Sequence, residues 1–503
     1  MLLALAALSV LALLLNGYHP LAEDGGLYVA GVEYTLNPTL FPHYTAFVTE
    51  HLHFSIFAPT LASLVRLTHL SLSTILLATY LLSAWLTFYA ALKLLRRITT
   101  NNLAQLISLC LLAVFWTLPV AGTSLLLMDP YVTARSISTP LSLLAVAFAL
   151  DHRTLVRPLL LCTLSLLLAA AFHPLMAAYT FALILILRLP QRRIIWILLT
   201  LFALLLATLL NHFAPAETPT IIAAEKSRYY WFLTEWKWFE LLGLAGPLAV
   251  LALLLRRFRR SLDPHSNAAA TLCRASITLG SIATLIALLF AHENSPTHIV
   301  ARLQPLRVFL ILYAIMTLLL GATLAQLLLE ARARSTSPVT RRTLATLPAL
   351  ILIALATTMF EVQRNTFPNS QHIELSNQAP RNPWSQAFLW TRDNSPPDAL
   401  FALDAKYVNE DGEDAQTFRA TALRSALPDF SKDGGEAAIT PALATQWQPA
   451  AAAQINLSTE SDALRDARLI PFGVTWLVLH STAHTAHPCP YNNGTIKVCQ
   501  LAP

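Results

Sequence analysis

The chain has 503 residues, 55% of them hydrophobic and only 12% charged, with a net charge of +6 and a mean hydropathy of +0.55. A soluble domain of this length does not need so many apolar residues, so the composition excludes a soluble enzyme and calls for an α-helical polytopic membrane protein. The positive charge is not a nucleic-acid signature, because Lys and Arg stand in short clusters between apolar segments, where they set topology.

The first apolar segment, residues 1–15, is short for a span. A cleaved signal peptide is its rival reading, but the basic leader and the A-x-A-like cleavage site are missing, so it is taken as span one. Residues 70–95, 103–120, 137–150, 159–171, 175–187, 194–210, 239–255, 275–291, 308–329 and 344–360 follow, for eleven spans in all. The fifth and sixth hinge at His173-Pro174. Basic clusters close several of them: Lys93, Arg96 and Arg97; Arg153 and Arg157; Arg188, Arg192 and Arg193; Arg256, Arg257, Arg259 and Arg260; Arg332, Arg334, Arg341 and Arg342. With Met1 in the cytoplasm, every cluster falls inside, as the positive-inside rule demands; one miscounted span would invert all later loops. The expectation is therefore a multi-pass protein of the cytoplasmic (inner) membrane, with its N-terminus cytoplasmic and Pro503 outside. Residues 54–69 are apolar but interrupted by Pro59, Arg66 and His69, and read as a helix lying at the outer interface. Residues 1–360 form the transmembrane domain, with a functional first outer loop at 17–69; residues 361–503 form an extracytoplasmic domain.

That first loop carries Glu23-Asp24 followed by Gly25-Gly26. Two adjacent carboxylates just beyond a span are costly near hydrocarbon and call for a reason. The glycines free the backbone and let a ligand approach, and Tyr18, His19, Tyr28, His43, Tyr44, His51 and His53 surround the pair. The expectation is a catalytic carboxylate facing a lipid-linked substrate; the plain alternative is an acidic loop that caps a helix. In the later outer loops, Asp129 before Pro130 is either a turn cap or a second acid. Arg135, among Thr133, Ser136, Ser138 and Thr139, either grips a phosphate bidentately or pairs with Asp129. Glu225, Lys226 and Arg228 precede Tyr229, Tyr230, Trp231, Trp236 and Trp238, rings that an interfacial aromatic belt explains without a substrate. His292 and Glu293 with Arg302 and Arg307 form the densest polar cluster outside the first loop. The two arginines are expected on a donor phosphate, with snorkelling at a helix end as the alternative.

The region from residue 361 onward is polar and proline-studded, long enough for a small α/β domain. Residues 384–393 read as an amphipathic helix, 399–403 and 474–480 as strands, and 496–501 as the last strand of a hairpin turning at Asn493-Gly494. That turn sets Cys489 against Cys499 in an oxidising compartment, so a disulfide is expected. Cys110, Cys162 and Cys273 lie in apolar spans as small hydrophobes. No Walker loop, dinucleotide fingerprint, HExxH or structural zinc spacing is present, which argues against soluble nucleotide chemistry.

The Glu23-Asp24 pair after span one, the many spans with outer Asp129, Arg302 and Arg307, and the outer C-terminal domain resemble the polytopic glycosyltransferases of the C-type fold (GT-C). Those enzymes use polyprenyl-phosphate-linked sugars. The resemblance implies an inverting transfer of a hexosyl or pentosyl group from such a donor to an envelope glycan, lipid or protein, at the membrane and without nucleic acid. Asp24 or Glu23 would take the acceptor proton, and Arg302, Arg307 and Arg135 would steady the departing phosphate, with His292, Glu293 and Asp129 lining the site. A divalent metal (Mg or Mn) bridging Glu23, Asp24 and phosphate is left open, since some members of such families do without one. A transporter or flippase of lipid-linked saccharide would place charges near the bilayer midplane and often shows repeated halves, neither of which is seen. A non-catalytic assembly or sensory protein is the remaining alternative.

Overall fold

The computed structural model describes residues 2–151, 156–190, 192–260, 263–410 and 417–501. Met1, Arg153 and Pro503, which enter the topology expectation, lie outside the described residues. Among the described residues six helices are long and apolar enough to cross a membrane: Leu72–Ile98, Ile194–Phe213, Trp238–Phe258, Pro264–Phe290, Ile299–Arg334 and Pro338–Thr366. Five shorter apolar helices accompany them: Leu2–Asn16, Asn102–Val114, Ala134–Ala149, Val156–Phe172 and Pro174–Arg188. Each expected span overlies one of these helices, but the five short ones do not meet the length of a full crossing by themselves. Ile194–Phe213 and Pro338–Thr366 bury almost none of their apolar surface, leaving Leu198, Leu201, Phe202, Leu205, Leu350 and Ile353 exposed, as lipid-facing helices do.

Helix starts follow local chemistry. Asp263, Ser337 and Asn382 accept the first free N–H groups of their helices, and a proline follows each at a position that needs no donor. The third segment departs from expectation: its helix ends at Val114, because Pro119 cannot continue it, and residues 115–133 run as irregular chain. Asn16 pins the end of the first helix across to that point, donating to the Ala113 carbonyl (3.0 Å) and accepting from the Thr117 hydroxyl (2.9 Å). The first outer loop is largely helical, with Glu23–Leu36 and then Phe57–Thr68. The latter buries Phe57, Ala58, Leu61 and Ala62 and exposes Leu64 and Leu67, the asymmetry expected of an interfacial helix.

The C-terminal region forms a mixed five-stranded sheet of β1 (Leu400–Ala402), β2 (Ser425–Ala426), β3 (Trp476–His480), β4 (Tyr491–Asn492) and β5 (Ile496–Gln500), ordered β2-β1-β3-β5-β4. β1 runs parallel to β2 and β3, and β5 antiparallel to β3 and β4. Alternate residues feed two cores: Phe401, Trp476 and Val478 on one face with Trp384 and Phe388 of helix Pro383–Asn394, and Leu400, Leu477 and Leu479 on the other. Cys489 and Cys499 are disulfide-bonded across the hairpin, ten positions apart. A loop that short contributes roughly 2–3 kcal/mol in the chain-entropy model. Cys499→Ser is expected to lower the melting temperature of this domain, read by calorimetry on the purified protein. An unchanged melt, or two alkylatable thiols at these positions in the native protein, would contradict the bridge.

Candidate active site

Glu23 and Asp24 open the helix Glu23–Leu36, immediately after the first apolar helix. Glu23 has φ +50, a left-handed backbone that costs a non-glycine residue energy and is held only by its surroundings. Those surroundings are tight. A Cβ on Gly25 would lie 2.7 Å from the Pro20 carbonyl and 2.9 Å from Tyr131, and one on Gly26 would overlap Thr417. The glycines therefore admit protein neighbours, the 128–133 loop and the C-terminal domain, where the sequence suggested room for a ligand. Thr417 donates from both its N–H (3.3 Å) and its hydroxyl (3.0 Å) to the Leu21 carbonyl, fastening that domain to the loop.

Two cations contact the carboxylates, and a third acts on Asp24 from beyond ion-pair distance. Arg135, in the first turn of Ala134–Ala149, reaches Asp24 with one nitrogen (3.5 Å) and Asp129 with the other (2.8 Å). Of the two readings of Arg135, the pairing with Asp129 is present, and the other nitrogen faces Asp24. Asp129 is buried and also accepts from the Thr133 hydroxyl at 3.4 Å; its Oδ1 has no partner among the described residues. Burial pushes the Asp129 carboxyl up, against the pull of Arg135. Lys432, from the C-terminal domain, donates to Glu23 and, at 3.2 Å, to Asp24. Arg307 is the third. It acts electrostatically on Asp24, lies over the Tyr230 ring at 5.9 Å, and has no carboxylate partner among the described residues. Arg135 and Arg307 each stand at the N-terminal end of an apolar helix, as does His173, which caps Pro174–Arg188 by accepting from the Met176 N–H.

Burial opposes ionisation of Asp24, but Lys432, Arg135 and Arg307 outweigh it and hold its carboxyl well below the usual carboxylate range. Asp24 is one-third exposed and Glu23 somewhat more, so neither carboxylate is sealed from solvent. Behind them burial, with Asp433, Asp24 and Glu50 adding repulsion, pushes Glu436 up to about 8. Its carboxylate lies 4.0 Å from His51, whose buried ring nitrogens have no hydrogen-bond partner among the described residues.

Arg302, expected beside Arg307, stands in a different cluster. Its guanidinium binds Glu217 (2.9 Å) and the fully buried Glu225 (2.5 Å). His298 Nδ1 lies 3.0 Å from both of the same carboxylates, and its Nε2 lies 3.0 Å from the Glu293 carbonyl. Burial disfavours the His298 charge, but the hydrogen bonds to Glu225, Glu293 and Glu217 prevail and raise it to about 9. His292 is exposed, and Glu293 pairs with Lys226 at 3.5 Å. Among the described residues Glu217, Glu225 and His298 are the one acid and imidazole group with metal-like spacing, and Arg302 already supplies the positive charge there. At Glu23-Asp24 that charge comes from Lys432 and Arg135.

From sequence, Lys432 reads with Arg419, Arg424 and Asp429 either as an acceptor contact or, more simply, as solvated surface, and its contact with Glu23 and Asp24 comes only from the fold. Its only local signal is the segment Asp429–Gly434, in which the Lys432 N–H donates to Asp429 (2.6 Å) and shapes a tight turn.

No protein-family model matches the chain, and comparison with curated proteins returned no match. Among solved structures, the arabinofuranosyltransferase AftD from Mycobacteria aligns over 100% of this chain with a TM-score of 0.42 and 13% identity, a likeness too low to assign a fold family. The chain spans 40% of the length of that enzyme.

Proposed function

We propose that this protein is a membrane glycosyltransferase that moves a sugar, with inversion, from a polyprenyl-phosphate carrier to an extracytoplasmic acceptor, an envelope glycan, lipid or protein. The observation that supports this reading best is the meeting of a one-third-exposed carboxylate with Arg135 and Lys432, within the electrostatic influence of Arg307, beside a bundle of apolar helices. A transfer from a lipid phosphate needs a proton acceptor on one side of the sugar and positive charge on the other. Asp24 is the proton acceptor. Arg307, which lacks a carboxylate partner among the described residues, and Arg135, aligned by Asp129, face the phosphate. The acceptor oxygen bonds to the anomeric carbon as the bond from that carbon to the phosphate oxygen breaks. The hydroxyl proton passes to Asp24, and polyprenyl phosphate departs. Because Asp24 is a weak base, the proton moves late, once bonding to carbon has made the acceptor hydroxyl acidic. The three cations supply the charge that a divalent metal would otherwise bring.

The direct test is turnover. Purified protein in lipid nanodiscs is offered a panel of polyprenyl-phosphate sugars and acceptors, and release of polyprenyl phosphate is measured. Release with at least one donor is expected. Folded protein that releases none, and binds no donor, would remove the enzyme reading. The orientation is a separate expectation: all eleven apolar helices cross, and the C-terminal domain is external. Reporter fusions after Arg260 and after Leu501 should read cytoplasmic and external respectively; the same side for both would overturn the topology.

A further inference from the structure

The contact between Lys432 and the two carboxylates joins residues 408 and 409 positions apart, and it is built from both sides. Within the C-terminal domain, Asp429 accepts the Lys432 N–H (2.6 Å), Asp433 accepts the Asp429 N–H (2.8 Å), and the Arg419 guanidinium holds Asp433 (2.6 Å). From the transmembrane domain, Arg228 in the 211–238 loop donates to the carbonyls of Phe430 (2.7 Å) and Ser431 (2.5 Å), the two residues preceding Lys432. The Lys432 side chain is 14% exposed, with its ammonium on Glu23 and Asp24. Arg135 is anchored by Asp129, but an ammonium on a flexible four-carbon stem can change partners without moving its backbone.

We propose that Lys432 is a donor-phosphate ligand contributed by the C-terminal domain, which covers Glu23 and Asp24 until the donor arrives. This rests on the glycosyltransferase reading. The phosphate of the incoming lipid competes with the two carboxylates for the ammonium. When Lys432 turns to the phosphate, Asp24 loses its closest cation and is uncovered for the acceptor hydroxyl. Lys432 stays protonated throughout, and its hydrogen bonds pass from carboxylate to phosphate oxygens. Donor binding therefore precedes productive acceptor binding, and the C-terminal domain is part of the active site. Arg228 is a positioning residue that sets the turn bearing Lys432.

A purely structural bridge predicts loss of stability alone. The test measures binding of polyprenyl phosphate to the full chain in nanodiscs, with thermal melts alongside. Lys432→Gln is expected to weaken binding roughly ten- to hundredfold, the loss of one charge-assisted hydrogen-bonding group. Lys432→Arg should restore much of it, and Glu23→Gln, which removes a competitor for the ammonium, should tighten binding severalfold. If Lys432→Gln does not fold, the Arg variant and Glu23→Gln decide. Lys432→Gln that melts normally and binds as tightly as the parent would overturn the proposal. So would Glu23→Gln that leaves affinity unchanged. Failure of the parent itself to bind polyprenyl phosphate would instead remove the glycosyltransferase reading.

Discussion

Asp24→Asn is expected to reduce sugar transfer by roughly 10²–10⁴-fold, the usual contribution of a positioned general base. Asparagine keeps the shape of the side chain and its place at the start of helix Glu23–Leu36, but it cannot take a proton. Donor binding should survive, because the substitution also releases Lys432 and one nitrogen of Arg135 from an anionic partner. The loss thus falls on kcat. Asp24→Glu should retain a small residue of activity, since the carboxylate is displaced by one methylene. The pH profile carries a sign as well. A carboxyl whose folded pKa is depressed stays ionised above that value, so kcat/KM, which reports the unliganded protein with Lys432 on Asp24, should persist as pH falls below about 4, the ordinary aspartate pKa. Undiminished turnover by Asp24→Asn with Glu23 intact would pass the role of base to Glu23. Undiminished turnover by the double amide variant would refute a carboxylate mechanism.

Arg302→Ala should act on stability, with an expected loss of about 3–5 kcal/mol, the usual cost of stranding one member of a buried ion pair. Glu225 is fully buried and depends on Arg302 and His298 for its compensation, and Glu217 shares both partners. Arg302→Lys should rescue poorly, because a point charge cannot reach the three contacts of the guanidinium fork. The same cluster gives a pH window. His298 is raised from 6.5 to about 9, so its contribution to stability is fully present below pH 6.5 and is lost as pH rises through about 9. Melts of the purified protein across that interval should show the decline, and His298→Gln should flatten it. A variant Arg302→Ala that melts normally but binds donor weakly would return this arginine to the phosphate.

Sequence alone determined the apolar segments, their alternation with basic clusters, the acidic pair after the first of them, and the cysteine hairpin. Each is a local signal: a run of side chains that water rejects, a charge that stays on one side of a bilayer, a turn of two residues. The edges of segments were less legible. The third apolar run continues in sequence to residue 120, yet its helix stops at Val114, where Pro119 and the pairing of Pro119 with Leu126 take over. The glycines after Asp24 read as room for a ligand, but in the packed structure Pro20, Tyr131 and Thr417 take that space. Tertiary structure alone decided the partners of the cations. Arg302 and Arg307 are five residues apart and chemically identical, yet Gln304, with φ +49, turns the chain between a helix ending at Arg302 and a helical turn beginning at Pro305. One arginine is thereby sent to Glu217 and Glu225, and the other lies over the Tyr230 ring. Lys432 is the extreme case. Its neighbours in the chain suggest at most a contact with an acceptor, and its pairing with Asp24 exists only because the fold closes a gap of 408 residues.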